Sequence, residues 1–271
     1  MTSGRNAGGN GRVLAIAGSD SGGGAGVQAD IKTITALGGY AASAITAVTV
    51  QDTLGVHAIH RVPPPIIAAQ IRAVLADIGA DAIKTGMLGD AAAVEAVLAA
   101  LAGWPDIPLV VDPVMVATSG DVLNSADALD PLRRLIARAA LVTPNAPEAA
   151  ALTGIAVATT DDLRRAGEAL LTQGVSAVLM KGGHVPGESV IDLLMTPDGE
   201  TLLEGPRIET RHTHGTGCTL ASACAVGLAQ GLTLEVAVAR AWAYVGEAIR
   251  RAPGFGAGHG PLDHAWPLRD R

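Results

Sequence analysis

Short apolar or β-branched runs alternate with Ala/Leu-rich stretches at helical spacing along most of the chain. Runs at 12–17, 45–50, 82–85, 109–111, 140–143, 177–180 and 190–195 predict strands. Stretches at 25–37, 65–77, 91–101, 129–137, 147–152, 161–173, 219–230 and 234–251 predict helices. Several strand runs are apolar on both faces, as a sheet covered by helices requires. The alternation predicts parallel pairing through right-handed crossovers. Residues 56–62 alternate apolar and polar positions, and Pro63-Pro64-Pro65 then ends pairing and opens a helix. With 45–50 this segment predicts a small flap.

Composition narrows the picture. The 271 residues show neither a linker nor a repeat, so one domain over 12–271 is expected, after a Gly- and Asn-rich tail at 1–11 read as disordered and lacking the apolar core of a secretory signal. Hydrophobic residues make up 49% and aromatics only 2%, so the core must be Ala, Val, Leu and Ile. A net charge of -7 argues against nucleic acid or an anionic membrane as the main partner. No apolar run approaches the ~18 residues of a membrane span. Cys218 and Cys224 fall on one predicted helix, ~9 Å apart by helical rise and too far for a disulfide. Reduced thiols fit a cytoplasmic protein. An acidic chain that handles anions must do so through backbone dipoles and metal ions.

The segment from Thr213 through Gly215, Thr216, Gly217 and Cys218 to Ala223 runs a glycine loop into a helix of small residues. Free N–H groups at a helix start attract an anion, and glycines leave that backbone open. A thiol there is expected to have its pKa lowered toward neutrality, so the segment offers an anion hole and a base. The alternative is a capping loop with a small buried cysteine.

Ligands of open α/β sheets gather at the carboxyl ends of strands. Those ends are followed here by Gly18 to Gly26, Gln51-Asp52, Gly86-Met87, Asp112-Pro113-Val114, Pro144-Asn145 with Glu148, and Lys181-Gly182-Gly183. Asp112, Asn145 and Glu148 suit Mg²⁺, which takes few protein oxygens and keeps waters. Equally, Asn145 suits a helix cap with Glu148 in the first turn. Lys181 at a strand end suits a nucleotide phosphate or simple exposure. His184, His212, His214 and His259 read as surface or loop residues. Gly24 to Ala29 fits a dinucleotide fingerprint only weakly, since Asp30 would put negative charge in the phosphate-binding helix. No Gly-Lys pair exists for a Walker A loop.

Taken in order, the pieces Ala15–Lys32, Lys84–Leu88, Val111–Met115, Thr143–Ala149, Met180–His184, Thr213–Leu220 and Gly258–His264 resemble the hydroxymethylpyrimidine/phosphomethylpyrimidine kinases. These are the thiamine-pathway members of the ribokinase-like superfamily. The resemblance spans roughly 12–266. It implies an α/β three-layer sandwich, ATP with Mg²⁺, and commonly a homodimer. It places Gly18, Asp30, Gln51, Met87 and Val114 at the acceptor ring. It places Gly215, Thr216, Gly217 and Cys218 at the transferring phosphoryl group, Lys181, Thr213 and Asn145 at the nucleotide, and Asp112 and Glu148 at the metal. A Cys218 thiolate is expected to take the alcohol proton in a first phosphorylation. Pyridoxal/pyridoxine kinases share the reaction and fold, and a dinucleotide-binding protein is the remoter alternative. Some members carry a lysine where this chain has Ala257, so that contact to phosphate is absent.

Overall fold

The computed structural model describes residues 10–115 and 125–269. Nine strands form one sheet: β1 (Arg12–Asp20), β2 (Tyr40–Gln51), β3 (Val56–Arg61), β4 (Ala82–Thr85), β5 (Leu109–Val111), β6 (Leu141–Val142), β7 (Val178–Met180), β8 (Ser189–Thr196) and β9 (Gly199–Pro206). Their order is β3-β2-β1-β4-β5-β6-β7-β8-β9. The pairs from β2 through β7 are parallel, while β3, β8 and β9 join antiparallel at the two edges.

Side chains alternate across the sheet with period two, and each face meets its own helices. Leu14, Ile16, Ile83 and Val142 join one core with α2 (Pro64–Asp77), α3 (Ala91–Leu101), α4 (Leu129–Ile136), α5 (Ala146–Thr153) and α6 (Thr160–Thr172). Val13, Val110, Leu141 and Leu179 join the other with α1 (Gly26–Ala36), α7 (Thr216–Ala229) and α8 (Leu234–Arg250). The result is three layers. Helix α7 lies deepest, buried from Thr219 through Gly227, which explains its small side chains. A methyl group on Gly227 would come within 2.7 Å of Ala237 Cβ.

Strand β1 pairs with β2 on one side and β4 on the other, both parallel. The chain therefore reverses direction across the sheet at β1, and a crevice opens there beyond the carboxyl ends of the strands.

Several expectations change. Strand β2 begins at Tyr40 rather than 45, because the residues after Tyr40 are Ala and Ser and lack an apolar signature. The flap is not separate: β3 continues the main sheet as its edge. Strand β9 was not anticipated; its outward face carries Glu200 and Glu204, as an exposed edge favours. Most of the tail expected to be disordered lies outside the described residues, though Gly11 accepts the Tyr40 N–H.

Candidate functional site

A cleft of about 990 Å³ occupies the crevice. At its centre is the start of α7. Gly215 has φ +85°, and a methyl group there would lie 1.8 Å from the Gly24 carbonyl oxygen. Only glycine allows this turn. Thr216 Oγ1 donates to Thr213 O, and the Thr219 N–H to Gly215 O. The first turn carries no side-chain cap and no acidic residue. Among the described residues, the Gly217 and Cys218 N–H groups have no partner, and they line the cleft. Two orphan donors with the helix dipole behind them form an anion site.

Directly beneath lie three charges. A methyl group on Gly217 would meet Lys181 Nζ at 3.2 Å and Asp112 Oδ2 at 3.4 Å. Lys181 Nζ sits 3.0 Å from Asp112 Oδ1 and 3.7 Å from Glu148 Oε2. Burial works against its charge, but Asp112 and then Glu148 hold its pKa above the usual value. Burial pushes the Glu148 carboxyl up to about 7, with Lys181 opposing and Asp112 adding to the rise. Asn145 and Glu148 form a full capping box: Asn145 Oδ1 accepts the Glu148 N–H, and Glu148 Oε2 accepts the Asn145 N–H. Asp112 Oδ1 also accepts the Thr143 hydroxyl, whereas Oδ2 is buried with no partner. That spare oxygen suits a cation arriving with its own waters. No cluster of three or more His, Cys, Asp or Glu side chains fit to hold a metal occurs among the described residues.

The far wall is built around Gly18 and Asp20. Met87 lies across Gly18, where a methyl group would touch its Cε at 2.6 Å. Gln51, Val114 and Thr49 line the same wall. Asp20 organises it. Its Oδ1 accepts the Gly22 N–H, and its Oδ2 accepts the Gly24 and Ala25 N–H groups. Oδ2 also lies 2.9 Å from His214 Nε2. Burial alone would raise Asp20, but the hydrogen bonds from His214, Ala25 and Gly22 bring its pKa below the ordinary value.

Thirteen of the fourteen site residues singled out from the sequence line this one cleft: Gly18, Gln51, Met87, Asp112, Val114, Asn145, Glu148, Lys181, Thr213, Gly215, Thr216, Gly217 and Cys218. Asp30 is the exception. It is fully buried and paired with the equally buried Lys84 Nζ at 2.7 Å, and it accepts the Ser222 hydroxyl. It faces α7 and β4 and does not line the cleft. Cys218 stands where expected, but its thiol is not activated. Burial pushes it up to about 11, Lys84 opposing and Asp30 and Asp112 adding to the rise. The helix start loses to desolvation. Asp20 and His214 were missed, since an Asp in a glycine loop and a lone His carry no spacing signal. His214 is buried, not a surface residue.

A family profile described as phosphomethylpyrimidine kinase matches residues 20–263. The chain belongs to the phosphomethylpyrimidine kinase family. A hydroxymethylpyrimidine/phosphomethylpyrimidine kinase of Streptomyces coelicolor is 51% identical over 94% of this chain and 95% of its own. The crystal structure of phosphomethylpyrimidine kinase from Clostridium difficile 630 superposes with a TM-score of 0.78 and 41% identity, covering 88% of this chain and 99% of that one. An ADP complex of Bacillus subtilis pyridoxal kinase reaches a TM-score of 0.89 at 32% identity, covering 96% and 99%. The fold is thus the ribokinase-like three-layer sandwich, and this family member is a phosphotransferase.

Proposed function

We propose that the protein transfers the γ-phosphoryl group of ATP to the hydroxymethyl group of 4-amino-5-hydroxymethyl-2-methylpyrimidine, and then to the resulting monophosphate. The observation that carries this reading is the pair of orphan N–H groups at Gly217 and Cys218, set over Lys181 and Asp112 and opposite Gln51, Met87 and Val114. Phosphoryl transfer asks mainly for positioning and charge stabilisation. The α7 start supplies fixed dipoles for the moving group, and Lys181 supplies a permanent positive charge beneath it. Thr213 and Asn145 border the nucleotide side. ATP use is supported by the family and by the ADP-bound relative. Asp112 Oδ2 and Glu148 would hold Mg²⁺, directly or through water, and the ion would neutralise charge on the phosphates.

Cys218 stays protonated at neutral pH and lines the acceptor's path as a small neutral group. A loose transition state needs little proton removal before transfer, and the monophosphate acceptor is already ionised.

A coupled ADP-release assay with the pyrimidine alcohol, its monophosphate and pyridoxine tests the reading. Turnover of both pyrimidines above pyridoxine is expected. Pyridoxine preferred over both would establish the second reading, pyridoxal kinase, the name of the structural relative that shares this fold at 32% identity. The cytoplasm is the proposed compartment on the two free thiols. A homodimer is proposed too, with the exposed apolar Val48 and Val50 of β2 as the covered face. Light scattering on the eluted peak checks it.

A further inference from the structure

Hydrogen-bond accounting around Gln51 leads further. This step rests on the functional reading above and deepens it at the acceptor ring. Asp20 Oδ2 can only accept, so His214 Nε2, 2.9 Å away, must carry the hydrogen. The Gln51 amide nitrogen lies 3.5 Å from the same Nε2, which sets two donors face to face. At the other end, Thr49 Oγ1 lies 2.9 Å from Ser19 O and 3.0 Å from Gln51 Oε1. One hydroxyl hydrogen then faces two acceptors. A half-turn of the amide ends the donor–donor clash and frees the Thr49 hydrogen, leaving the His214 Nε2–H shared between Asp20 at 2.9 Å and the amide oxygen at 3.5 Å. The amide nitrogen donates to Thr49 Oγ1, whose own hydrogen goes to Ser19, and its oxygen faces the His214 N–H.

We propose that His214, oriented by Asp20, is a positioning residue that fixes the Gln51 amide in this orientation and so selects an aminopyrimidine as acceptor ring. His214 cannot swing away. Its backbone N–H is bonded to Gly260 O, and its Cδ2 lies 2.5 Å from where a methyl group on Gly24 would sit. An amide bonded to Thr49 at one end and facing the shared His214 N–H at the other keeps one outward N–H and one outward lone pair. Those match a ring nitrogen beside an exocyclic amino group, as Asn and Gln match adenine. A pyridine with no amino group beside its nitrogen offers no such pair.

Steady-state kinetics on the full-length protein test this, with pyrimidine alcohol, pyridoxine and ATP varied in turn. His214→Phe should raise the KM for the pyrimidine about tenfold, the scale of one lost hydrogen bond, with the KM for ATP within about twofold. The preference for pyrimidine over pyridoxine should fall by the same factor. In a Gln51→Ala background, His214→Phe should add no further loss. His214→Gln keeps an N–H donor, should retain preference, and serves if the Phe variant does not fold. Additive losses in the double variant, an equal rise in the KM for ATP, or equal loss in the Gln and Phe variants would overturn the proposal. A wild type that turns over no aminopyrimidine would bring down the functional reading, and this inference with it. Turnover with additive losses brings down this inference alone.

Discussion

A methyl group on Gly217 would fit only tightly. It would crowd Lys181 Nζ at 3.2 Å and touch Asp112 Oδ2 at 3.4 Å, beside the orphan N–H groups. Gly217→Ala is expected to lower kcat/KM by about a hundredfold, the scale of losing one well-placed oxyanion donor, while circular dichroism stays native. A loss under threefold would show that the phosphoryl group binds elsewhere. Cys218 makes the opposite case. With its thiol near 11, fewer than about one molecule in a thousand holds a thiolate at neutral pH. Cys218→Ala should therefore slow both phosphorylation steps by similar factors, measured separately with alcohol and monophosphate. A selective collapse of alcohol phosphorylation would restore the thiolate base. The position of Cys218 was legible in the chain because glycine spacing and a helix start are local. Its protonation was not, because it is set by burial in the fold and by the charges of Lys84, Asp30 and Asp112, which arrive from β4, α1 and the end of β5.

At the scale of elements, Asp30 and Lys84 act as a rivet. The pair ties α1 to β4, and Ser222 extends it to α7. A buried lysine left without its carboxylate costs about 3–5 kcal/mol. Asp30→Asn should therefore lower the urea midpoint strongly without a selective rise in the acceptor's KM. A large KM effect at unchanged stability would return Asp30 to the ring site. Helix α5 carries a second expectation. Glu148 rises from 4.5 to about 7 on folding. Between those values the folded protein keeps a proton that the unfolded chain has lost. Stability should therefore fall as pH rises through that window, by at most ~3 kcal/mol. Unfolding midpoints of wild type and Glu148→Gln across that range check it: the variant should lose the slope. Elements were legible to the extent that their signals were apolar. The two-sided runs of β1, β4, β5 and β7 showed plainly, whereas β9 and the first half of β2 are polar or small and gain their strand geometry from a neighbour's hydrogen bonds.

For the whole molecule, charge and topology set one more expectation. The chain is acidic, with a net charge of -7, yet its cleft must accept a nucleotide polyanion. The fold answers by placing Lys181, just after β7 and beneath the bare start of α7, at the carboxyl edge of the sheet. Against these stand Asp112 and Glu148, two carboxylates with the lysine between them. Such a pair is too sparse to retain a divalent ion alone, since Mg²⁺ dehydrates reluctantly and is usually held with substrate phosphates. The ion and the nucleotide should therefore bind as a unit. Protein dialysed against EDTA should keep its thermal midpoint within about 1 °C, because no metal-dependent fold is lost. The same sample should show no phosphoryl transfer until Mg²⁺ is added with ATP. In calorimetry, Mg²⁺ alone should give no measurable heat at millimolar concentration, while Mg²⁺ with ADP should bind and raise the midpoint. A tight Mg²⁺ isotherm without nucleotide would mean that Asp112 and Glu148 form a resident metal centre, and that Lys181 moves aside to complete it.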